Sequence, residues 1–270
     1  MSIIEAIILG LLQGATEFLP ISSSGHLVLF PAIFGLTQPS LALIAVAHLG
    51  TLLAVLIYFG HELWTILKSL LLGIRQRNLL RDGDARLGWH IVVGTIPVAA
   101  VGLLLDGPFE NVFGNPTAAA VFLLVTAALL IIAERQLSGT KLLVEMSWWD
   151  AFLIGLFQSL ALLPGISRSG STMTAAIWRG LNRATAARYS FLLGVPAIFG
   201  AGLLALAEVF GSGGLASQWP SFLAAFVAAA ISGYACIYFL LTWLRNHSLY
   251  IFAVYCALLG FGYLLWTYLA

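Results

Sequence analysis

Apolar residues run in long blocks along this chain, and short polar stretches separate them. Six blocks, roughly 41–59, 87–105, 117–133, 188–209, 221–244 and 249–269, have the length a helix needs to cross a bilayer's hydrocarbon core. Pro97 and Pro196 fall inside two of them. Membrane helices tolerate such breaks when neighbours satisfy the freed carbonyls. Two further segments, 3–36 and 149–181, are apolar but interrupted near their middles by Pro, Gly and Ser. Neither half of either segment is long enough to cross alone, so each is predicted to be a re-entrant pair of short helices. Irregular backbone at that depth is tolerated only where protein or a wet cavity surrounds it. The expected fold is an all-α polytopic membrane protein with six transmembrane helices and two re-entrant helix pairs.

Composition agrees. Hydrophobic residues make up 61% of the 270 and charged residues only 9%, against about 25% charged in ordinary soluble domains. No basic patch is large enough for nucleic acid, which is excluded as a partner. Cys236 and Cys256 both lie in apolar stretches and read as buried small hydrophobes. The first basic residue is Lys68, so the N-terminus lacks the basic region of a signal peptide.

Charge then orients the spans. Lys68, Arg75, Arg77, Arg81 and Arg86 lie between the first two, Arg135 and Lys141 follow the third, Arg179, Arg183 and Arg188 precede the fourth, and Arg245 separates the last two. The loop holding Asp106 and Glu110 has no basic residue, and the loop 210–220 has no charge. Alternating sides along the chain puts these eleven basic residues in the cytoplasm. Trp148, Trp149, Trp219 and Trp243 sit at span ends, as interfacial aromatics do. Arg168 breaks the pattern.

The two interrupted segments resemble each other. Residues 10–25 read GLLQGATEFLPISSSG and residues 155–170 read GLFQSLALLPGISRSG, with seven identities in sixteen positions at a constant offset of 145. Three spans follow each copy, an odd number, so the halves must run in opposite senses. The single membrane domain thus divides into a first repeat (1–140; hairpin 3–36 plus three spans) and an inverted second repeat (145–270; hairpin 149–181 plus three spans). Their tips can meet near the midplane. Transporters use the same design, so the repeat alone does not decide function.

The tips carry the chemistry. Gln13 and Glu17, four apart, share one face of a short helix that Pro20 ends, and Ser22-Ser23-Ser24-Gly25-His26 follows. Glu17 borders a long stretch without charge, where an ionisable group needs a partner or a function. In the second turn, Pro164-Gly165-Ile166-Ser167-Arg168-Ser169-Gly170-Ser171-Thr172, an Arg flanked by serines opens a helix. Turn amides and helix N-termini bind anions, and a guanidinium fork suits phosphate. A structural ion pair between Arg168 and Glu17 is the plainer alternative. One carboxylate, one guanidinium, one imidazole and many hydroxyls suit a diphosphate. Arg168 and turn amides hold oxygens, Glu17 holds a divalent cation, and His26 moves a proton. The nucleophile stays open among Ser23 or Ser24 with His26 as base, His26 itself, and an in-line water. His48 and His90 read as packing residues within spans, and Asp150 as a helix cap.

These residues resemble the undecaprenyl-diphosphate phosphatase family of the bacitracin-resistance type. That family carries an (E/Q)xxxE element, a P-x-S-S/T-x-G-H turn and a PGxSRSxxT element. They stand here as Gln13 to Glu17, Pro20 to His26, and Pro164 to Thr172, so the likeness spans essentially the whole chain. The resemblance implies metal-dependent hydrolysis (Mg²⁺ or Ca²⁺) of undecaprenyl diphosphate to the monophosphate, which recycles the carrier for cell-wall synthesis and confers bacitracin resistance. It places the protein in the bacterial inner membrane with its cleft open to the periplasm. Motif matches assign Glu17, Ser23, His26 and Arg168 to catalysis, and Gln13, Ser22, Ser24, Ser167, Ser169 and Thr172 to the substrate. Gln13 replaces the first carboxylate, so Glu17 becomes the main metal ligand beside Gln13, and substrate oxygens complete the shell. The partners expected are the lipid substrate, the bilayer and, as an option, a second copy of the chain. A lipid flippase is the rival reading; a plain scaffold leaves Arg168 and the repeated serines without purpose.

Overall fold

The computed structural model describes residues 1–104, 114–211 and 215–269, without the side chains of 205–217. The expected acidic loop residues Asp106 and Glu110 lie outside these, as do residues 212–214 of the uncharged loop. Eleven α-helices occur among the described residues. They are α1 (Ile3–Phe18), α2 (Ser23–Phe34), α3 (Leu41–Tyr58), α4 (Gly60–Arg75), α5 (Gly83–Leu104), α6 (Pro116–Arg135), α7 (Trp148–Ser159), α8 (Arg168–Trp178), α9 (Arg183–Gly211), α10 (Leu215–Trp243) and α11 (Tyr250–Leu269). Six of them, α3, α5, α6, α9, α10 and α11, are long and apolar enough to cross a membrane. They are the six expected from the apolar blocks. This is a multi-pass, all-helical membrane protein.

Two details differ from the sequence reading. The basic connector between the first two spans contains α4. Its Trp64, Leu67, Leu71 and Ile74 form an exposed apolar stripe at helical spacing, while Ile66 is buried. Its charges hide it from a search for apolar blocks. Residues 215–220, expected in a loop, are the first turns of α10, because helix geometry needs backbone partners and not an apolar side chain at every position.

The interrupted segments are hairpins of short helices. At 1.5 Å per residue, α2 and α7, each of 12 residues, span about 18 Å, well short of a membrane's hydrocarbon core. The two ends of each hairpin return to one place. Thr37 Oγ1 donates to Glu5 Oε1 at 3.2 Å, and Arg179 Nε donates to Asp150 Oδ1 at 2.6 Å. Glu5 and Asp150 are themselves equivalent positions at the offset of 145. Asp150 also accepts from Lys141; the helix cap expected at Asp150 is Ser147, and Asp150 is its reciprocal partner one turn on, accepting the Ser147 amide.

Equivalent glycines bring equivalent helices together. The start of α1 packs on α10, and a Cβ at Gly10 would lie 2.4 Å from the Ala225 carbonyl oxygen. The matching α7 packs on α5, and a Cβ at Gly155 would lie 2.1 Å from the Gly94 oxygen. Only glycine permits either backbone approach. Phe18 of α1 meets Gly233, and Ile7 lies with Trp219 and Leu223, so α1 runs parallel to α10.

Polar contacts gather four connectors at one end of the bundle. Arg188 pairs with Glu62, Arg86 donates to the Met146 carbonyl, and Arg183 grips Glu134 with two donors. Glu134 also accepts the Leu249 amide at 2.7 Å. These connectors carry the basic residues that the charge rule assigns to one side. The mouth of the second hairpin, with Lys141, Asp150 and Arg179, belongs to this end. The mouth of the first lies beside Trp219, at the other end of α10. The open ends of the two hairpins therefore lie at opposite ends of the helix bundle, and their turns meet between them.

Candidate active site

The two turns share the same local bonds. In the first turn, Ser22 Oγ accepts from the Gly25 amide at 3.2 Å and sits 3.2 Å from Ser24 Oγ. In the second, Ser167 Oγ accepts from the Gly170 amide at 3.0 Å and sits 3.1 Å from Ser169 Oγ. Each outer serine thus caps the helix that follows. The turns also differ. Ser22 holds φ at +71°, a conformation strained for a residue with a Cβ, whereas in the second turn Gly165 takes the positive φ (+97°). A non-glycine residue held there costs on the order of 1–3 kcal/mol, and such strain concentrates at functional sites.

Hydrogen bonds pin the turns to each other. The Gly165 amide donates to Ser24 Oγ (3.3 Å) and Ser169 Oγ donates to the Leu19 carbonyl (3.2 Å). Thr126 of α6 bridges the second turn, donating to the Gly165 carbonyl and accepting from the Ser167 amide. Thr172 Oγ1 lies on the Arg168 carbonyl and on Ser190 Oγ of α9. Ser22, Ser167, Ser169 and Thr172 are buried, and they shape and brace the turns.

Glu17 is the centre. Its Oε1 accepts from Arg168 Nη2 at 2.7 Å, joining the two repeats. Its Oε2 accepts from Ser23 Oγ at 2.6 Å and from Gln13 Nε2 at 3.0 Å, and His48 Nε2 stands 3.6 Å away. Arg168 Nη1 donates to the Ser190 carbonyl at 3.2 Å, so the guanidinium keeps further N–H groups free of these two bonds. The ion-pair alternative for Arg168 is thus real as geometry, and it leaves donors for a phosphate. The Glu17 side chain is only 6% exposed and that of Arg168 13%.

His26 does not meet Ser23. Its Nδ1 is 2.7 Å from the Ser22 carbonyl oxygen and must carry the proton there. Its Nε2 is 2.7 Å from Tyr255 Oη, and the rings stack. The serine–histidine dyad considered from the sequence is therefore not formed; the group beside Ser23 Oγ is the Glu17 carboxylate.

Three neighbours escaped the sequence reading. Tyr255 reaches His26 from α11, and Ser190 reaches Arg168 from α9. His48, taken as a packing residue, places Nε2 3.6 Å from Glu17 Oε2. None carries a motif or spacing signal, because each lies on a span remote in sequence. Tyr255 and His48 are also where the cluster is least covered.

Among the described residues, no three His, Cys, Asp or Glu side chains gather as a metal site. Yet Gln13 Oε1 is buried without a partner next to the Glu17 carboxylate. An amide oxygen left orphaned beside a carboxylate fits a cation that takes few protein ligands and completes its shell with waters and phosphate oxygens.

Comparison with known proteins follows the same residues. The family model described as bacitracin resistance protein BacA matches residues 6–262. The chain belongs to this family. A relative from Chloroherpeton thalassium, named undecaprenyl-diphosphatase, is 43% identical over 96% of this chain and 95% of its own. Relatives of the same name come from Methanosphaera stadtmanae, 43% identical over 96% of each chain, and from Hahella chejuensis, 41% identical over the full length of both.

On their outer face α1 and α10 border an open apolar groove of about 550 Å³, lined by Ile7, Leu11, Trp219, Leu223, Val227 and Ile231. Its far end adjoins Ser232, which faces Gly14 one turn before Glu17.

Proposed function

We propose that this BacA-family protein hydrolyses undecaprenyl diphosphate to undecaprenyl phosphate and inorganic phosphate at the paired hairpin apexes. The observation that carries the reading is the 2.7 Å contact between Arg168 and Glu17. It brings an anion-binding turn from one repeat onto the acid of the other, and the names of the relatives agree. The reading extends to the setting: the two hairpins are re-entrant halves of an inverted repeat, the connectors rich in basic residues face the cytoplasm, and the protein recycles the lipid carrier at the periplasmic face of the inner membrane.

Arg168 and the amides opening α8 hold the terminal phosphoryl oxygens, a role for fixed donors in a site with little water. Glu17, with Gln13 Oε1, would hold a divalent cation, which when bound neutralises charge on the diphosphate. Ser23 is the better-placed protein nucleophile, since its hydroxyl already donates to a carboxylate. Attack of Ser23 Oγ on the terminal phosphorus passes its proton to Glu17. The bond from that phosphorus to the bridging oxygen breaks, and undecaprenyl phosphate leaves. A water oxygen then bonds to that phosphorus as the bond to Ser23 Oγ breaks, a water proton restores the Ser23 hydroxyl, and the proton on Glu17 leaves with the inorganic phosphate. Direct attack by water gives the same products with Glu17 as the proton acceptor. The Ser22 carbonyl holds His26 in one tautomer, with the Nε2 lone pair toward the Tyr255 phenol. The prenyl tail takes the apolar groove between α1 and α10.

The correspondence of the two halves favours a second reading, a lipid flippase, in which the anion clamp serves transport. Purified protein given the C55 diphosphate and a divalent cation separates the two. Release of inorganic phosphate supports the hydrolase. Lipid movement across liposomes with no phosphate released overturns it.

A further inference from the structure

His48 lies on α3, outside every motif, yet its imidazole stands at the Glu17 carboxylate. Its Nδ1 is 2.8 Å from the Ile44 carbonyl oxygen, so that nitrogen carries the ring proton. In the neutral ring Nε2 then presents a lone pair, and it does so 3.6 Å from Glu17 Oε2. This distance is too long for a good hydrogen bond; with the ring protonated the contact is an ion pair, and with the ring neutral two electron-rich atoms face each other across a gap that suits a cation. Donor atoms that share one divalent ion at about 2.1 Å each stand roughly 3.0–3.6 Å apart. Metal-bound histidines characteristically donate their other ring N–H to a carbonyl, which fixes the tautomer; His48 already makes that bond. The third donor, Gln13 Oε1, is buried and unpartnered, and its own amide nitrogen is tied to Glu17.

We propose that His48 Nε2 is a protein ligand of the divalent cation, together with Glu17 Oε2 and Gln13 Oε1, and that it shifts this chain's preference from Ca²⁺ toward first-row transition ions. The chemistry follows from the donor set. Ca²⁺ is a hard ion that favours several carboxylate oxygens, and Gln13 supplies a neutral oxygen where a carboxylate is the alternative. Imidazole nitrogen favours the first-row divalent ions instead. The proposal rests on the phosphatase reading for the purpose of the ion, but not for its detection.

Mn²⁺ is the probe. Full-length protein in detergent, loaded with Mn²⁺ and no substrate, is measured by pulsed electron paramagnetic resonance for ¹⁴N coupling from a bound imidazole. Coupling is expected in the unsubstituted protein and in His26→Gln, and is expected to be lost in His48→Gln, which keeps a side chain of similar reach. Competition of Ca²⁺ for the Mn²⁺ signal gives the second readout. The Mn²⁺ to Ca²⁺ affinity ratio should fall at least ~10-fold in His48→Gln, the scale on which altered metal shells act. Absence of Mn²⁺ binding, binding without ¹⁴N coupling, coupling that survives in His48→Gln, or an unchanged ratio would each overturn the proposal. Intact coupling in a protein that releases no phosphate would sink the phosphatase reading and leave this one standing. Phosphate release with no nitrogen coupling would do the reverse.

Discussion

Replacing Arg168 with Ala tests the clamp directly and separates it from a merely structural ion pair. The substitution leaves the Glu17 carboxylate buried without its closest cation. Breaking a buried pair by removing one partner costs ~3–5 kcal/mol. Here Glu17 keeps donors from Ser23 and Gln13, so the expected loss is nearer ~2–3 kcal/mol. For a chain of this size that lowers the melting temperature in detergent by about 5–10 °C. Pairing the change with Glu17→Gln removes the stranded charge and should recover most of that stability. Activity should not recover with it. If Arg168 holds phosphoryl oxygens, turnover falls at least ~100-fold, about 2.7 kcal/mol of transition-state stabilisation. Arg168→Lys should restore only part, since one ammonium cannot replace a two-pronged guanidinium. The assay is release of inorganic phosphate from the C55 diphosphate below its melting point. Near-normal turnover in folded Arg168→Ala would confine Arg168 to a structural pair and remove the clamp.

Other substitutions test the remaining parts. His26→Ala releases the Ser22 carbonyl that its Nδ1–H holds and should lower turnover by up to ~100-fold, the scale on which misplacing a neighbouring reacting group such as Ser23 acts. Tyr255→Phe, which deletes one hydrogen bond to an exposed phenol, should lower it less than ~10-fold with a stability change of about 1 kcal/mol; initial rates and melting curves check both. Leu223→Trp fills the α1–α10 groove and should raise KM for the C55 lipid about 10-fold while leaving that for a C15 analogue within about 2-fold, since ~1.4 kcal/mol of tail contact is lost. Equal effects on both chain lengths would place the tail elsewhere. Gly155→Ala forces a Cβ onto the Gly94 oxygen and should destabilise by ~2–4 kcal/mol, whereas Gly262→Ala, with open space around it, should be neutral in the same melting assay.

Local rules account for what was legible in the chain. The apolar blocks located all six spans to within a few residues at most ends, because bilayer thickness sets a length that hydropathy records directly. The turns at 22–25 and 167–170 match in sequence, and the same short-range side-chain to amide bonds form in both. Glu17 and Arg168 stood out because each is an ionisable group out of place in its surroundings. The amphipathic α4 did not, since its charges break the apolar run.

The order of spans, the hairpins and the polar apex residues were written into the chain by length, periodicity and turn chemistry, which act between near neighbours. Packing alone decided what those residues touch. It handed Ser23 to Glu17 instead of His26, closed Tyr255 over the imidazole, and set His48 against the carboxylate. Those contacts join helices far apart along the chain, and no spacing rule reaches across them. They exist because glycine-mediated close approach of α1 to α10, and of α7 to α5, draws the turns of two hairpins into one buried centre.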